Sequence, residues 1–286
     1  MRIKSFFSIC SILNNYARTG ETGISKIISK PNILHLFQNS IDGGSIKIVD
    51  LSHKVSKSSP TWTGGCGFSK KEVLKYGNDL FCVQDLSLSA GIGTHMDSPA
   101  HLFEGSKDVS SIDISSFFTP ICIVDIRDKV RKDSKYKMTV EDVESYEKTF
   151  GMLPPNSLLV ALTGWSKYWH DTKLYRNVDQ KGVMCFPGIT ENVAKKYITK
   201  LNGLGIDTLS PDGGDMSYGF PVHETVLGSK KWILENLNNL EKMPAKGGIA
   251  ISLPLNFEGC TESPSRVIGL YEEGELNIIG EHHNVD

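Results

Sequence analysis

The chain has 286 residues, 39% of them hydrophobic and 22% charged, and a formal net charge of -2. This length supports one large core or two small ones, and the charge gives no reason to expect nucleic acid or an acidic membrane surface as partner. No apolar run approaches the length of a bilayer span, and six scattered cysteines without a C-x-x-C form neither a zinc ribbon nor a disulfide framework.

Residues 1–44 read as a basic N-terminal extension, amphipathic or disordered, ahead of a domain at 45–286. Up to residue 30 this segment holds Arg2, Lys4, Arg18, Lys26 and Lys30 against Glu21, and Phe6, Ile9, Cys10, Leu13 and Tyr16 recur at helical spacing. An organelle transit peptide has this composition. A helix packed on the domain or on a partner subunit has the same stripe and is favoured, because the stripe is short. With reduced thiols, a cytoplasmic protein is the simplest expectation.

Strands are expected at 46–51, 81–90, 120–126, 157–162, 248–253 and 266–271, where apolar residues alternate or run continuously. Gly64-Gly65-Cys66-Gly67 reads as a turn. Helices are expected at 140–149, capped by Thr139, and at 191–201, capped by Thr190 and ended by Gly203. No linker separates two domains within this region, so the elements predict an α/β fold, a single domain of mixed sheets with helices.

The chemistry concentrates in two places. In Gly93-Thr94-His95-Met96-Asp97-Ser98-Pro99-Ala100-His101, an extended backbone sends His95 and Asp97 to one side, with His101 a step beyond a stiffening proline. Imidazole with carboxylate is a ligand set for Zn²⁺ or Mn²⁺. Far downstream, His223 and Glu235 would stand about 18 Å apart on one continuous helix. Gly228-Ser229 can stop a short helix after His223, and residues 232–237 can return as an extended segment, so the two side chains can meet. His95, Asp97, His223 and Glu235 are therefore the expected metal ligands.

These residues resemble the cyclase family of metal-dependent hydrolases, which includes bacterial kynurenine formamidase and isatin hydrolase. The pattern H-x-G-T-H-x-D-x-P-x-H is matched from Gly93 through His101. Asp50-Leu51-Ser52-His53, Thr163-Gly164-Trp165, Phe186-Pro187-Gly188, the run from Gly205 to Ser210, and Ser263-Pro264-Ser265-Arg266 match further elements in order. The resemblance implies the swivelling β/β/α fold, a homo-oligomer and hydrolysis of an amide-type bond in a small molecule.

One position departs from the pattern. Its first His, a ligand of one ion in two-metal members, falls on Gly91. One metal per chain is therefore favoured over two. Asp85 and Gln84 are the candidate substitutes, although Asp85 lies about 20 Å back along an extended strand. The alternative is a catalytically weak relative that binds a small molecule or a partner.

A metal in such a site lowers the pKa of bound water and polarises a carbonyl. His101 is the expected proton shuttle to the leaving nitrogen, with a further ligand as its alternative role. There is no G-x-S-x-G elbow for a covalent route and no nucleotide-binding glycine loop. Among Trp62, Trp165, Tyr168 and Phe186, Trp62 is the best candidate to line the substrate pocket, because it follows a proline in a loop.

Overall fold

The structure is a computed structural model that describes residues 32–274. The basic stretch and the Phe6–Tyr16 stripe lie outside the described residues. Two compact units divide the chain, Met1–Ser40 and Ile41–Asp286. Helix α1 (Ile33–Asp42) runs across that limit, and the Asn32 side chain accepts the Leu34 N–H at its start.

The second unit is a mixed α/β structure. Its strands are β1 (Ile46–Asp50), β2 (Phe68–Leu74), β3 (Val83–Leu88), β4 (His95–Asp97), β5 (Phe118–Asp125), β6 (Lys137–Met138), β7 (Ser157–Leu162), β8 (Gly188–Ile189), β9 (Leu201–Ile206), β10 (Trp232–Glu235), β11 (Ile249–Pro254) and β12 (Glu262–Glu272). Its helices are α2 (Arg127–Lys132), α3 (Val140–Phe150), α4 (Thr172–Arg176), α5 (Glu191–Tyr197) and α6 (Pro221–Gly228).

Eight strands form one sheet in the order β1-β12-β11-β5-β7-β9-β10-β4, and β12 pairs again with β4, so the sheet curls back on itself like a barrel. Strands β5, β7, β9 and β10 run parallel. Strand β7 is buried at every position, which is why Ser157-Leu158-Leu159-Val160-Ala161-Leu162 reads as a continuous apolar run rather than an alternating one. Strand β12 is long enough to serve two neighbourhoods. Residues 262–264 pair with β4, and 265–272 pair with β11 and β1.

Motifs far apart in sequence meet as pairs. Asp50 of β1 accepts two hydrogen bonds from the Arg266 guanidinium, at 2.9 and 2.8 Å. Buried Asp207 accepts from the backbone N–H groups of Thr163, Gly164 and Trp165. The Asp-Leu-Ser-His loop is tied to the start of β4 by a bond from His53 N–H to Thr94 Oγ1 (2.9 Å).

Three local expectations need correction. The helix expected at 191–201 ends at Tyr197, a 3-10 turn follows, and Leu201 already opens β9. Gly203 is not a helix stop but a strand residue facing Trp232, whose ring a Cβ there would approach to 2.2 Å. The strand expected at 266–271 begins four residues earlier, at Glu262. Helix α3 begins at the expected Thr139, which forms a capping box with Asp142. Five cysteines fall among the described residues and all are free thiols. No described helix is long and apolar enough to cross a membrane.

A candidate metal centre inside the barrel wall

Strand β4 lies between β10 and β12, antiparallel to both. Residues directly opposite each other on antiparallel strands project to the same face. The register sets His95 against Glu235 and Asp97 against Glu262. His95 and Asp97 share that face because they are two residues apart, while Met96 between them enters the core with no exposure. Pairing geometry alone thus gathers four donors. The fifth, His223, arrives on α6, where Pro221 starts the helix and Ser229 ends it.

The structure brings His95, Asp97, His223 and Glu235 together, each at most 6% exposed. His95 Nε2 lies 3.4 Å from Asp97 Oδ1 and 3.4 Å from Glu235 Oε2. His223 Nε2 lies 3.3 Å from Glu235 Oε1 and 3.6 Å from Asp97 Oδ2. Two overlapping groups have donor atoms within 4.8 Å of one another, one of Asp97, His223 and Glu235 and the other of His95, Asp97 and Glu262.

Both imidazoles are held by their far nitrogens. His95 Nδ1 sits 3.0 Å from the Gly93 carbonyl, and His223 Nδ1 sits 2.6 Å from Asp212 Oδ2. Each Nδ1–H donates outward, so in the neutral, metal-binding form of each ring the Nε2 lone pair would aim into the cluster. Asp212 is itself fixed by the Val222 N–H at 2.8 Å. Asn236, with left-handed φ of 55°, donates to the Gly93 carbonyl and accepts from Tyr175 Oη, joining the end of β10 to the start of β4.

The electrostatics call for a cation. Burial would lower the His95 pKa, but Asp97, Glu235 and Glu262 outweigh it and push it up to about 10. His223 is likewise held well above its ordinary value; burial opposes the rise, and Asp212, Asp97 and Glu235 cause it. Glu262 is raised by burial and by the charge of Asp97. Asp97 Oδ1 is buried and accepts no hydrogen bond, a costly state for a carboxylate oxygen unless a cation meets it. The donor set therefore fits a divalent metal ion.

His101 closes a 3-10 turn begun by Pro99 and is 34% exposed at its side chain. Its ring centroid lies 6.0 Å from that of His223, and its Nδ1 is 3.6 Å from Glu262 Oε1. Trp62 borders the same cavity of about 330 Å³, together with Thr61, Ser89, Leu209 and Phe220. Trp165 and Phe186 are buried core residues instead, although Phe186 meets the edge of Trp62 at 6.2 Å. A larger cleft of about 910 Å³, bordered by Arg127, Arg131 and Lys167, contains none of the expected ligands.

Gln84 and Asp85 do not enter the cluster. Both are exposed on β3, which pairs only with β2 among the described strands, and Asp85 stands opposite Lys71. The carboxylate beside Gly91 is Glu262, which the sequence reading missed. Asp212 and Phe220 also went unassigned a role. An acid immediately before Ser263-Pro264-Ser265-Arg266 was a signal for Glu262, but only with the knowledge that β12 extends back to pair with β4.

A mixed α/β sheet with His and carboxylate donors buried in its wall defines an α/β protein with a candidate metal centre. Residues 49–213 match the family model described as "Putative cyclase". An isatin hydrolase of Roseibium aggregatum is 27% identical over 79% of this chain and 92% of its own length. A kynurenine formamidase of Polaromonas naphthalenivorans is 24% identical over 82% of this chain and 95% of its own. The solved structure of isatin hydrolase A from Ralstonia solanacearum superposes with a TM-score of 0.79 at 26% identity, over 87% of this chain and all of that one. The chain belongs to the cyclase family, and it is homologous to amidohydrolases of that family.

Proposed function

We propose that this protein is a metal-dependent amidohydrolase that opens a formamide or lactam C–N bond in a small molecule, with Zn²⁺ or Mn²⁺ held by His95, Asp97, His223 and Glu235. The observation that carries this reading is the convergence of those four buried side chains around an unpartnered Asp97 oxygen. A divalent ion there supplies Lewis acidity toward a carbonyl and a lowered pKa for water. Gly91 argues for one ion per chain; the carboxylate beside it argues for two.

The remaining residues divide the work. His101 stands at the exposed rim, within reach of the cluster but outside the buried ligand set. From there it carries the proton to the leaving nitrogen. Trp62 and Phe220, with centroids 6.2 Å apart, give the cavity an aromatic wall. The Trp62 carbonyl is anchored by Arg176 at 2.9 Å. A cavity of about 330 Å³ with such a wall suits a planar aromatic amide.

The test is metal analysis of protein purified without chelator, with formamidase and isatin-hydrolysis assays before and after chelation. Metal uptake with restored turnover supports the reading, and a metal-free, inactive protein refutes it. A cytoplasmic homo-oligomer belongs to the same proposal. Exposed Val73, Leu80, Phe81 and Leu86 around the β2–β3 hairpin support a subunit contact there, to be read by size-exclusion chromatography with light scattering. Residues 1–44 act in this proposal as a dispensable extension, so a chain starting near Gly44 should bind metal with unchanged stoichiometry.

A further inference from the structure

We propose that Glu262 occupies the coordination place left open by Gly91, and that with His95 and Asp97 it builds a second divalent-metal subsite sharing Asp97 with the first. This inference rests on the metal-dependent reading above.

Three observations converge on it. A Cβ built on Gly91 would lie 2.9 Å from Glu262 Oε1 and 3.3 Å from His95 Nε2. The Glu262 carboxylate therefore fills the space into which a side chain at position 91 would project. It arrives there by a different route, across the sheet from β12 rather than along the chain from the segment before β4. The strand register requires this, since Glu262 is the direct partner of Asp97. Donor atoms of His95, Asp97 and Glu262 lie within 4.8 Å of one another, close to the spacing of roughly 3–4.4 Å that metal–ligand bonds of about 2.0–2.2 Å impose.

The second observation is the orientation of Asp97. Its Oδ2 faces His223 at 3.6 Å and its Oδ1 faces His95 at 3.4 Å. Oδ1 is buried with no hydrogen-bond partner. One carboxylate with its oxygens turned toward two donor groups, one oxygen unsatisfied, has the form of a bridging ligand.

The third is charge. Asp97 and Glu235 already balance one divalent ion. Glu262 is a further carboxylate beyond these two, with its side chain 25% exposed, and the basic groups near it are His95, within the same donor group, and His101 at 3.6 Å. A second cation satisfies Glu262 and the idle oxygen of Asp97 together.

The experiment is calorimetric titration of Mn²⁺ into chelator-stripped protein, with the electron paramagnetic resonance spectrum recorded at saturation. Three chains are compared: the unmodified protein, Glu262→Gln, and the double variant Gly91→His with Glu262→Ala. Circular dichroism confirms folding of each. Gly91 lacks a left-handed φ, so its backbone accepts a side chain once Glu262 is shortened. The unmodified protein is expected to take two ions per chain with an exchange-coupled spectrum.

Glu262→Gln should keep one ion and weaken the other by more than the ~10–100-fold typical of losing an outer partner. The double variant should restore the second ion. Equal stoichiometry and affinity in the unmodified protein and Glu262→Gln would overturn the role of Glu262 and leave the hydrolase reading standing; Glu262 would then serve only His101. One ion in the unmodified protein would likewise overturn it. No ion in any chain would sink both readings.

Discussion

Strands β3 and β4 each carry an aspartate on a short extended segment paired antiparallel to a neighbour. Asp97 on β4 is 1% exposed, with Glu262 opposite it on β12 and Glu235 diagonal to it on β10. Asp85 on β3 is exposed, opposite Lys71 on a hairpin whose other strand is its only partner among the described residues. Side-chain parity along the chain treats the two aspartates alike. What separates them is the number of strands beside them. A strand with two neighbours inherits donors from both, whereas a two-stranded hairpin has one face in water and offers its acids a lysine and solvent. A donor cluster of this kind is a property of three adjacent strands and the helix beside them, not of one motif.

That contrast can be tested in decreasing order of effect. Asp97→Asn removes the group common to both donor clusters. Activity should fall by at least ~10³-fold, given the several kcal/mol a metal supplies to the transition state, and metal analysis should find little or no bound ion. Retained metal would show that the shared aspartate is not the hub. His101→Ala should leave metal content unchanged while turnover drops about 10²–10⁴-fold; loss of metal instead would turn His101 into a ligand.

Asp212→Asn keeps the shape beside His223 but weakens the hold on its Nδ1–H. Metal affinity should decline about 10–100-fold, the usual range for a group that orients a ligating imidazole, and competition with a chromophoric chelator would measure it. Unchanged affinity would mean that α6 alone positions His223. The smallest effect belongs to the hairpin. Gln84→Ala combined with Asp85→Ala should change stability by no more than about 0.5 kcal/mol and leave the bound metal unaltered. A lost ion there would break the comparison, because it would require the hairpin to reach the cluster.

Much of the molecule was legible before any coordinates. The strand at Ser157–Leu162 follows from its unbroken apolar run, and α3 from the cap at Thr139. The pairing of His95 with Asp97 follows from strand parity, and the break between His223 and Glu235 from Gly228-Ser229. Each of these depends on forces acting within a few residues, which a sequence records directly.

Contacts between distant segments were not legible. Gly203 looked like a helix stop because its reason for being glycine, the Trp232 ring, comes from another strand. Glu262 went unread because its partner Asp97 lies 165 positions away and meets it only when β12 pairs with β4. The sequence by itself determined which donor types the protein carries and which of them share a strand. Only the tertiary structure decided which strands stand side by side, because sheet register is set by the packing of the whole core and brings residues together without regard to their separation along the chain.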